Sequence, residues 1–79
     1  MIEVEVRLYY YLRRYQPEGR GDPLRVRLEA GASLGRLQEV LGLPTDLPVV
    51  ALVNGRRGLP ESVLGDGDQV VMFPPVEGG

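Results

Sequence analysis

The fold is decided by the stretch at residues 66–79, which has the sequence DGDQVVMFPPVEGG. Asp66-Gly67 is a turn dipeptide, because glycine accepts a positive φ and an aspartate side chain can hydrogen-bond to nearby backbone. The apolar run Val70–Phe73 then predicts a strand that is covered on both faces. Pro74 and Pro75 cannot donate to a sheet ladder, so the strand must end before them. The stretch therefore predicts a strand that delivers a proline-stiffened tail.

The predicted tail comprises residues 74–79 and ends in Gly78-Gly79. Consecutive prolines favour an extended conformation, and glycine has no Cβ to widen the chain. A thin segment of this kind, ending in a carboxylate, suits a narrow channel in another protein. The two glycines alone leave open the alternative of an inert, frayed end.

The length and composition limit the function classes. At 79 residues the chain has the size of one small domain, and we expect residues 1–79 to form it. There is no histidine and no cysteine, so the commonest general base, the best nucleophile and the usual zinc ligands are missing. We expect a protein that is not itself an enzyme and that binds no metal and no cofactor. The net charge of −2 argues against general nucleic-acid binding.

The first residues do not resemble a secretory leader, because Glu3 and Glu5 stand where a basic start and an apolar run would lie. No apolar run approaches the ~20 residues of a membrane span. We therefore expect a cytoplasmic protein. All nine basic residues are arginine, so the side chains of this chain cannot accept isopeptide bonds.

Apolar and polar residues alternate in residues 1–10 and again in residues 24–29. A period of two predicts half-buried strands, here a hairpin with a long connection at residues 16–23. A short helical turn is predicted at residues 11–15, where the alternation breaks. The residues expected to face the core are Ile2, Val4, Val6, Leu8, Tyr10, Leu24, Val26 and Leu28.

One short helix is predicted after Ser33, a favourable N-cap residue. Gly35 weakens its first turn, so the helix must depend on packing against the sheet. Gly42 and Pro44 end it. The apolar positions at helical spacing are Leu34, Leu37, Val40 and Leu41.

The remaining segment predicts a second hairpin. Val49–Val53 is an apolar run typical of a buried strand, and Asn54-Gly55 is a strong signal for a two-residue turn. Residues 56–59 would form a short return strand, and residues 60–64 a turn before the last strand.

The ending closely resembles the C-terminus of the MoaD/ThiS family of ubiquitin-like sulfur carriers, and especially the small subunits of molybdopterin synthase. The resemblance lies in Asp66-Gly67-Asp68-Gln69-Val70 and in Phe73-Pro74-Pro75-Val76-Glu77-Gly78-Gly79. It implies an α+β protein of the β-grasp (ubiquitin-like) class. Such a fold has a mixed sheet of four to five strands, one main helix on one face, and parallel first and last strands at the centre.

The resemblance also implies a function. Gly79 would be the carrier residue, which an adenylating enzyme of the ubiquitin-activating type activates with ATP and a sulfur donor converts to a thiocarboxylate. Gly78 would be its required neighbour. The sulfur would pass to a molybdopterin precursor in the synthase large subunit, in molybdenum or tungsten cofactor biosynthesis. The implied partner contacts are Phe73, Pro74, Pro75, Val76 and Glu77.

Other functions remain open from the sequence. The same carrier chemistry could serve thiazole synthesis for thiamine, or tRNA thiolation. A ubiquitin-like modifier that is joined to lysines of other proteins would use the same diglycine. A plain interaction domain would not use the tail at all.

Three further groups of residues have a functional and a structural interpretation. Tyr9, Tyr10 and Tyr11 could stack on nucleic acid, but the acidic net charge favours Tyr10 packing inward with the other two on the surface. Asp66 and Asp68 could suggest calcium, but the other ligands of a calcium loop are absent, which favours turn chemistry. The basic pairs are solvated surface or partner contacts, and a partner would most naturally grip an exposed sheet face. These residues are Arg13-Arg14, Arg56-Arg57 and, on that face, Arg7, Tyr9, Arg25 and Arg27.

Overall fold

The computed structural model describes residues 1–16 and 23–75 and contains five strands, one α-helix and one 3₁₀ helix. In chain order they are β1 (Ile2–Leu8), the 3₁₀ helix (Tyr10–Tyr15), β2 (Leu24–Leu28), α1 (Leu34–Val40), β3 (Val50–Val53), β4 (Arg56–Arg57) and β5 (Gln69–Phe73). Both predicted hairpins, the helical turn and the last strand are confirmed. The predicted loop at residues 16–23 lies mostly outside the described residues.

The five strands form one mixed sheet in the order β2-β1-β5-β3-β4. β1 and β5 are parallel, with Val6 opposite Val70 and Leu8 opposite Met72. β2 is antiparallel to β1, and β3 is antiparallel to both β4 and β5. The last strand of the chain therefore lies at the centre of the sheet, beside the first. This is the β-grasp arrangement, so the predicted fold class is confirmed.

The hydrophobic core lies on one face of the sheet, where α1 covers it. Alternate residues of the strands point into this core, as a period of two requires. The described residues include no buried polar or charged side chain. The buried residues are Val4, Val6, Leu8, Leu12, Leu24, Val26, Leu28, Ala32, Leu34, Leu37, Leu43, Ala51, Leu64, Val70 and Met72.

The start of α1 is stabilised by three hydrogen bonds that satisfy its free N–H groups. Ser33 Oγ accepts from Arg36 N at 3.1 Å, which confirms Ser33 as the N-cap. Leu34 N donates to Ser62 O at 2.9 Å, and Gly35 N donates to Pro60 O at 2.8 Å. A Cβ on Gly35 would lie 3.2 Å from Pro60 O, so a close approach to backbone explains the glycine in the first turn.

The predicted apolar stripe of the helix is wrong at Val40, which is 46% exposed. α1 ends at this residue, and Leu41 and Leu43 pack against or within the core instead. Helical spacing alone identified Leu34 and Leu37 correctly. It did not show that the chain leaves the helix in time to bury Leu43.

The prediction that the last strand is covered on both faces is also wrong, and the predicted buried strand at residues 49–53 is buried only in part. In β5, Val70 and Met72 are 1% and 0% exposed, whereas Val71 and Phe73 are only half-buried. In β3, only Ala51 is buried. A single helix covers one face, so the apolar residues on the other face remain partly accessible. The continuous apolar runs therefore indicate that the face of the sheet opposite α1 is apolar as well. We call it the open face.

Tyr10 does not pack inward as predicted, since it is 76% exposed and has a φ of +57°. β1 ends at Leu8, and the left-handed backbone at Tyr10 turns the chain into the 3₁₀ helix. Leu12, which is 0% exposed, occupies the core in its place. Tyr9 and Tyr11 are on the surface, as predicted. Within residues 1–16 and 23–75, no helix is long and apolar enough to span a membrane.

Candidate functional site at the tail end of the central strand

The central strand fixes the point at which the tail leaves the sheet. β5 pairs with β1 on one side and with β3 on the other, and the pairing continues to Phe73, opposite Val50. Tyr9 N donates to Met72 O at 3.1 Å, just beyond the end of β1. Pro74 and Pro75 follow outside the ladder. The root of the tail is therefore anchored from both sides.

The other end of β5 is fixed by side chains of two turns. Asp68 accepts from Gly65 N at 2.7 Å and from Asn54 Nδ2 at 2.9 Å. Asn54 Oδ1 accepts in turn from Gln69 N at 2.9 Å. Asp66 Oδ1 accepts from the backbone N of Glu3 at 2.8 Å. Asp66 thus bonds to the backbone of β1 and Asp68 to both turns, which favours the turn interpretation over calcium. Within the described residues, no cluster of three or more carboxylates could hold a metal ion.

The structure places three of the seven predicted site residues. Phe73 ends β5, and Pro74 and Pro75 begin the tail; all three are half-buried. The other four, Val76, Glu77, Gly78 and Gly79, lie outside the described residues. Their roles remain predictions from the sequence.

Tyr10 and Tyr11 lie beside the root of the tail, a position that the sequence did not predict. With Pro74 and Pro75 they line a shallow cavity of about 380 Å³. The run of tyrosines was a signal for an exposed aromatic site. Its position could not be recognised without the turn at Tyr10, which brings the 3₁₀ helix next to the end of β5.

The open face of the sheet is the second candidate surface. Its centre is apolar, because Leu52 pairs with Val71 and Val50 pairs with Phe73, and all four are half-buried. The predicted contacts Arg7, Arg25 and Arg27 alternate with the buried residues of β1 and β2, and all three are exposed. Tyr9, at the end of β1, is 43% exposed.

Arginines outnumber glutamates around this apolar centre. Glu3 and Glu5 share this face, opposite Arg27 and Arg25 in the β1–β2 ladder. Arg27 lies 4.0 Å from Glu3, in an exposed pair that contributes little to stability. In the edge strand β4, Arg57 pairs with Leu52 and therefore lies on this face, whereas Arg56 pairs with Val53 and lies on the other face; both are exposed. Arg13 and Arg14 are in the last turn of the 3₁₀ helix and are exposed too. The face therefore combines an apolar centre with a charged rim in which arginines outnumber glutamates, which suits binding to another protein.

The fold is shared with several archaeal ubiquitin-like proteins. A putative molybdopterin converting factor, subunit 1, from Pyrococcus furiosus is 27% identical, with a TM-score of 0.77, and the match covers 96% of this chain and 100% of that one. Small archaeal modifier protein 1 from Haloferax volcanii is 20% identical, with a TM-score of 0.78 and the same coverage. A Caldiarchaeum subterraneum ubiquitin is 19% identical, with a TM-score of 0.61, covering 99% of this chain and 98% of its own.

No curated protein matches the chain. A family model does, and its match covers residues 1–78. The predicted resemblance to ubiquitin-like carriers is confirmed by this match together with the molybdopterin converting factor among the similar structures. The chain is a ubiquitin-like domain and belongs to the Mut7-C ubiquitin family.

Proposed function

We propose that this protein is a sulfur carrier whose Gly79 carboxylate is adenylated and then converted to a thiocarboxylate. The observation that carries the proposal is the position of the tail. The strand before it is central and paired on both sides, and Pro74 and Pro75 lead directly from that strand toward Gly78-Gly79. A carrier needs this combination of a firmly paired strand at the root of the tail and a narrow reactive end.

The proposed chemistry requires no catalytic side chain of the carrier. A carboxylate oxygen of Gly79 attacks the α-phosphate of ATP, and pyrophosphate leaves. Hydrosulfide released by the donor then attacks the activated carbonyl carbon. A C–S bond forms, the C–O bond to AMP breaks, and the thiocarboxylate, AMP and a proton are the products. The partner enzyme supplies the ATP site and any acid or base, which agrees with a chain that has no histidine and no cysteine.

The proposed partners are a ubiquitin-activating-type adenylating enzyme and the large subunit of molybdopterin synthase. Both would hold the open face while the tail occupies a channel. The acceptor would be a precursor of molybdopterin. The similar structure from Pyrococcus furiosus, which is named a putative molybdopterin converting factor, subunit 1, supports this choice. With that large subunit, this chain would act as the small subunit of a sulfurtransferase.

The experiment is an intact-mass measurement after incubation with an adenylating enzyme, ATP and a sulfur donor. We expect a mass increase equal to the replacement of one oxygen by sulfur. The matched control is the same protein without Gly79, which should show no change. If a panel of such enzymes leaves the mass of the intact protein unchanged, the carrier proposal is wrong.

The open face has its own test. Charge reversal at Arg25 and Arg27 should weaken binding of the adenylating enzyme, because the arginines of the rim would be lost on one side. Charge reversal at Arg56, which lies on the other face of the sheet, serves as the control. Unchanged affinity of the Arg25 and Arg27 variant would exclude this side of the face as a contact.

A second candidate function is that of a protein modifier. The same fold occurs in a small archaeal modifier protein and in an archaeal ubiquitin. The activated carbonyl of Gly79 would then be attacked by a lysine amine of another protein, and AMP would leave. Peptides carrying Gly78-Gly79 on lysine, found after digestion of cell protein, would favour this candidate. Their absence, together with thiocarboxylate formation, would favour the carrier.

A further inference from the structure

All four tyrosines of the chain lie within residues 9–15, on the segment that turns beside the root of the tail. Tyr10 and Tyr11 are 76% and 48% exposed. With Pro74 and Pro75 they form the cavity of about 380 Å³ described above. We call Tyr10, Tyr11, Pro74 and Pro75 together the tail-root platform. Tyrosine and proline lose little conformational freedom on binding, so such a surface is pre-organised for a partner.

The platform is held firmly to the central strand. The bond from Tyr9 N to Met72 O joins the start of the 3₁₀ helix to the end of β5. Leu12, in the same helix, is completely buried and anchors it to the core. The backbone that carries the tyrosines therefore keeps a fixed position relative to the point where the tail leaves.

The backbone at Tyr10 favours glycine, yet the chain has a large aromatic residue there. Within the described residues only Tyr10 and Asn54 are non-glycine residues with positive φ. Asn54 lies in a hairpin turn, where asparagine tolerates this conformation. A strained backbone that keeps an exposed ring at a surface cavity is typical of a functional position.

The length of the tail limits where a partner can lie. The inference rests here on the proposed function, in which Gly79 reacts. Gly79 is four residues beyond Pro75, and four residues span at most about 14 Å even when fully extended. A protein that surrounds this segment must therefore contact the surface next to Pro75, where Tyr10 and Tyr11 lie.

The segment that carries the tyrosines is positively charged. Residues 6–16 contain Arg7, Arg13 and Arg14 and no acidic residue. Asp66 and Asp68 lie at the opposite end of β5, where Asp66 bonds to the backbone of β1 and Asp68 to the turns. A partner that approaches the platform would therefore be attracted by carboxylates on its own surface.

We propose that the tail-root platform binds the rim of the partner's channel, the channel that receives the tail. The occupant is a protein surface with an apolar edge that fills the cavity and with aspartate or glutamate residues opposite Arg7 and Arg14. The open face supplies contact area for the partner, and the platform determines which channel rim can fit around the tail. A nucleic-acid strand and a second copy of this chain are other occupants that the experiment separates.

The test uses the full chain and an adenylating enzyme that thiocarboxylates it. Tyr10→Gly removes the ring at a backbone position that accepts glycine, so the fold should be retained, as a thermal unfolding curve would show. We expect the KM for the carrier to rise about tenfold, as is typical when a central aromatic contact is truncated. The kcat should stay within about twofold, because the reacting end is intact. Tyr11→Ser gives a second variant outside the strained position.

The charge requirement is tested by Arg14→Glu against Arg56→Glu, which makes the same change in charge at the other end of β5. Arg14→Glu should lower the association rate constant about tenfold at low salt and reduce its dependence on salt, whereas Arg56→Glu should not.

Two outcomes would overturn the proposal. One is an unchanged KM in both tyrosine variants. The other is a Tyr10→Gly variant that keeps its KM but no longer binds a single-stranded oligonucleotide or no longer self-associates. The platform would then bind nucleic acid or a second copy of this chain. Failure of the proposed function is distinct, because wild-type protein would then gain no sulfur with any adenylating enzyme.

Discussion

The two ends of β5 are built in opposite ways, although the same strand connects them. At the turn end, side chains of Asp66, Asp68 and Asn54 bond to backbone groups of three segments. At the tail end, two prolines leave the ladder with no such network among the described residues, and exposed tyrosines lie beside them. The turn end fixes the register of β1, β3 and β5. The tail end is left accessible to a partner. The comparison predicts that changes at the turn end lower stability, while changes at the tail end lower docking.

The strand between the two ends should give the largest effect. Met72→Ala removes a side chain that is 0% exposed, and we expect the free energy of unfolding to fall by about 2–5 kcal/mol. Urea unfolding measures this. Val71→Ala, on the open face of the same strand, is the control and should cost less than half as much. Equal effects would mean that the open face is covered in solution.

The side-chain network at the turn end should give the next largest effect. Asp68→Ala removes the acceptor of Gly65 N and of Asn54 Nδ2, and should lower the free energy of unfolding by about 2 kcal/mol. Asp46→Ala makes the same chemical change at an exposed position in the connector before β3 and should have almost no effect. Neither variant should change thiocarboxylate formation under conditions where the protein is folded.

A smaller effect at the same end is expected from backbone conformation alone. Gly67 has a φ of +84°, and a Cβ there would meet no atom within 4 Å. Gly67→Ala should therefore cost about 1–2 kcal/mol, all of it from the left-handed conformation. Gly65→Ala is the control, since Gly65 has no such φ and its Cβ would only meet Asp68 oxygens at 3.8 and 3.9 Å. If the two variants were equally stable, strain at the turn would not be the cause.

The tail end should show the smallest effect on stability. Pro75→Ala should change the free energy of unfolding by less than about 0.5 kcal/mol, because the residue is outside the ladder. It should raise the KM for the carrier a few-fold, since a less stiff tail loses more conformational entropy on docking. Pro44→Ala, after α1, should leave the KM unchanged. A large loss of stability in Pro75→Ala would contradict the contrast between the ends.

The sequence predicted the elements well where one physical signal was sufficient. Alternation identified β1 and β2, Ser33 marked the helix start, and Asn54-Gly55 marked the second hairpin. These signals are local, so a single chain reveals them. The resemblance of residues 66–79 to a known family supplied the order of the strands, which local patterns do not contain.

The errors arose where tertiary contacts decide. The apolar runs of β3 and β5 did not reveal which face α1 covers. Tyr10 continued the alternation of β1, but the pairing of Tyr9 with Met72 and the turn that follows placed Leu12 in the core instead. The platform beside the tail depends on that turn, so the sequence indicated the tyrosines without indicating their site.

The parallel pairing of β1 and β5 also has a mechanical consequence. Because the two strands run in the same direction, Met1 lies at the turn end and the tail leaves from the opposite end. A force that pulls the tail away from the start of the chain acts along the strands. It loads the hydrogen bonds between β1 and β5 in shear, all at the same time, and cannot open them one by one. The domain should therefore resist extraction of its last strand when the tail is pulled, and rupture under load would follow the unfolding rate.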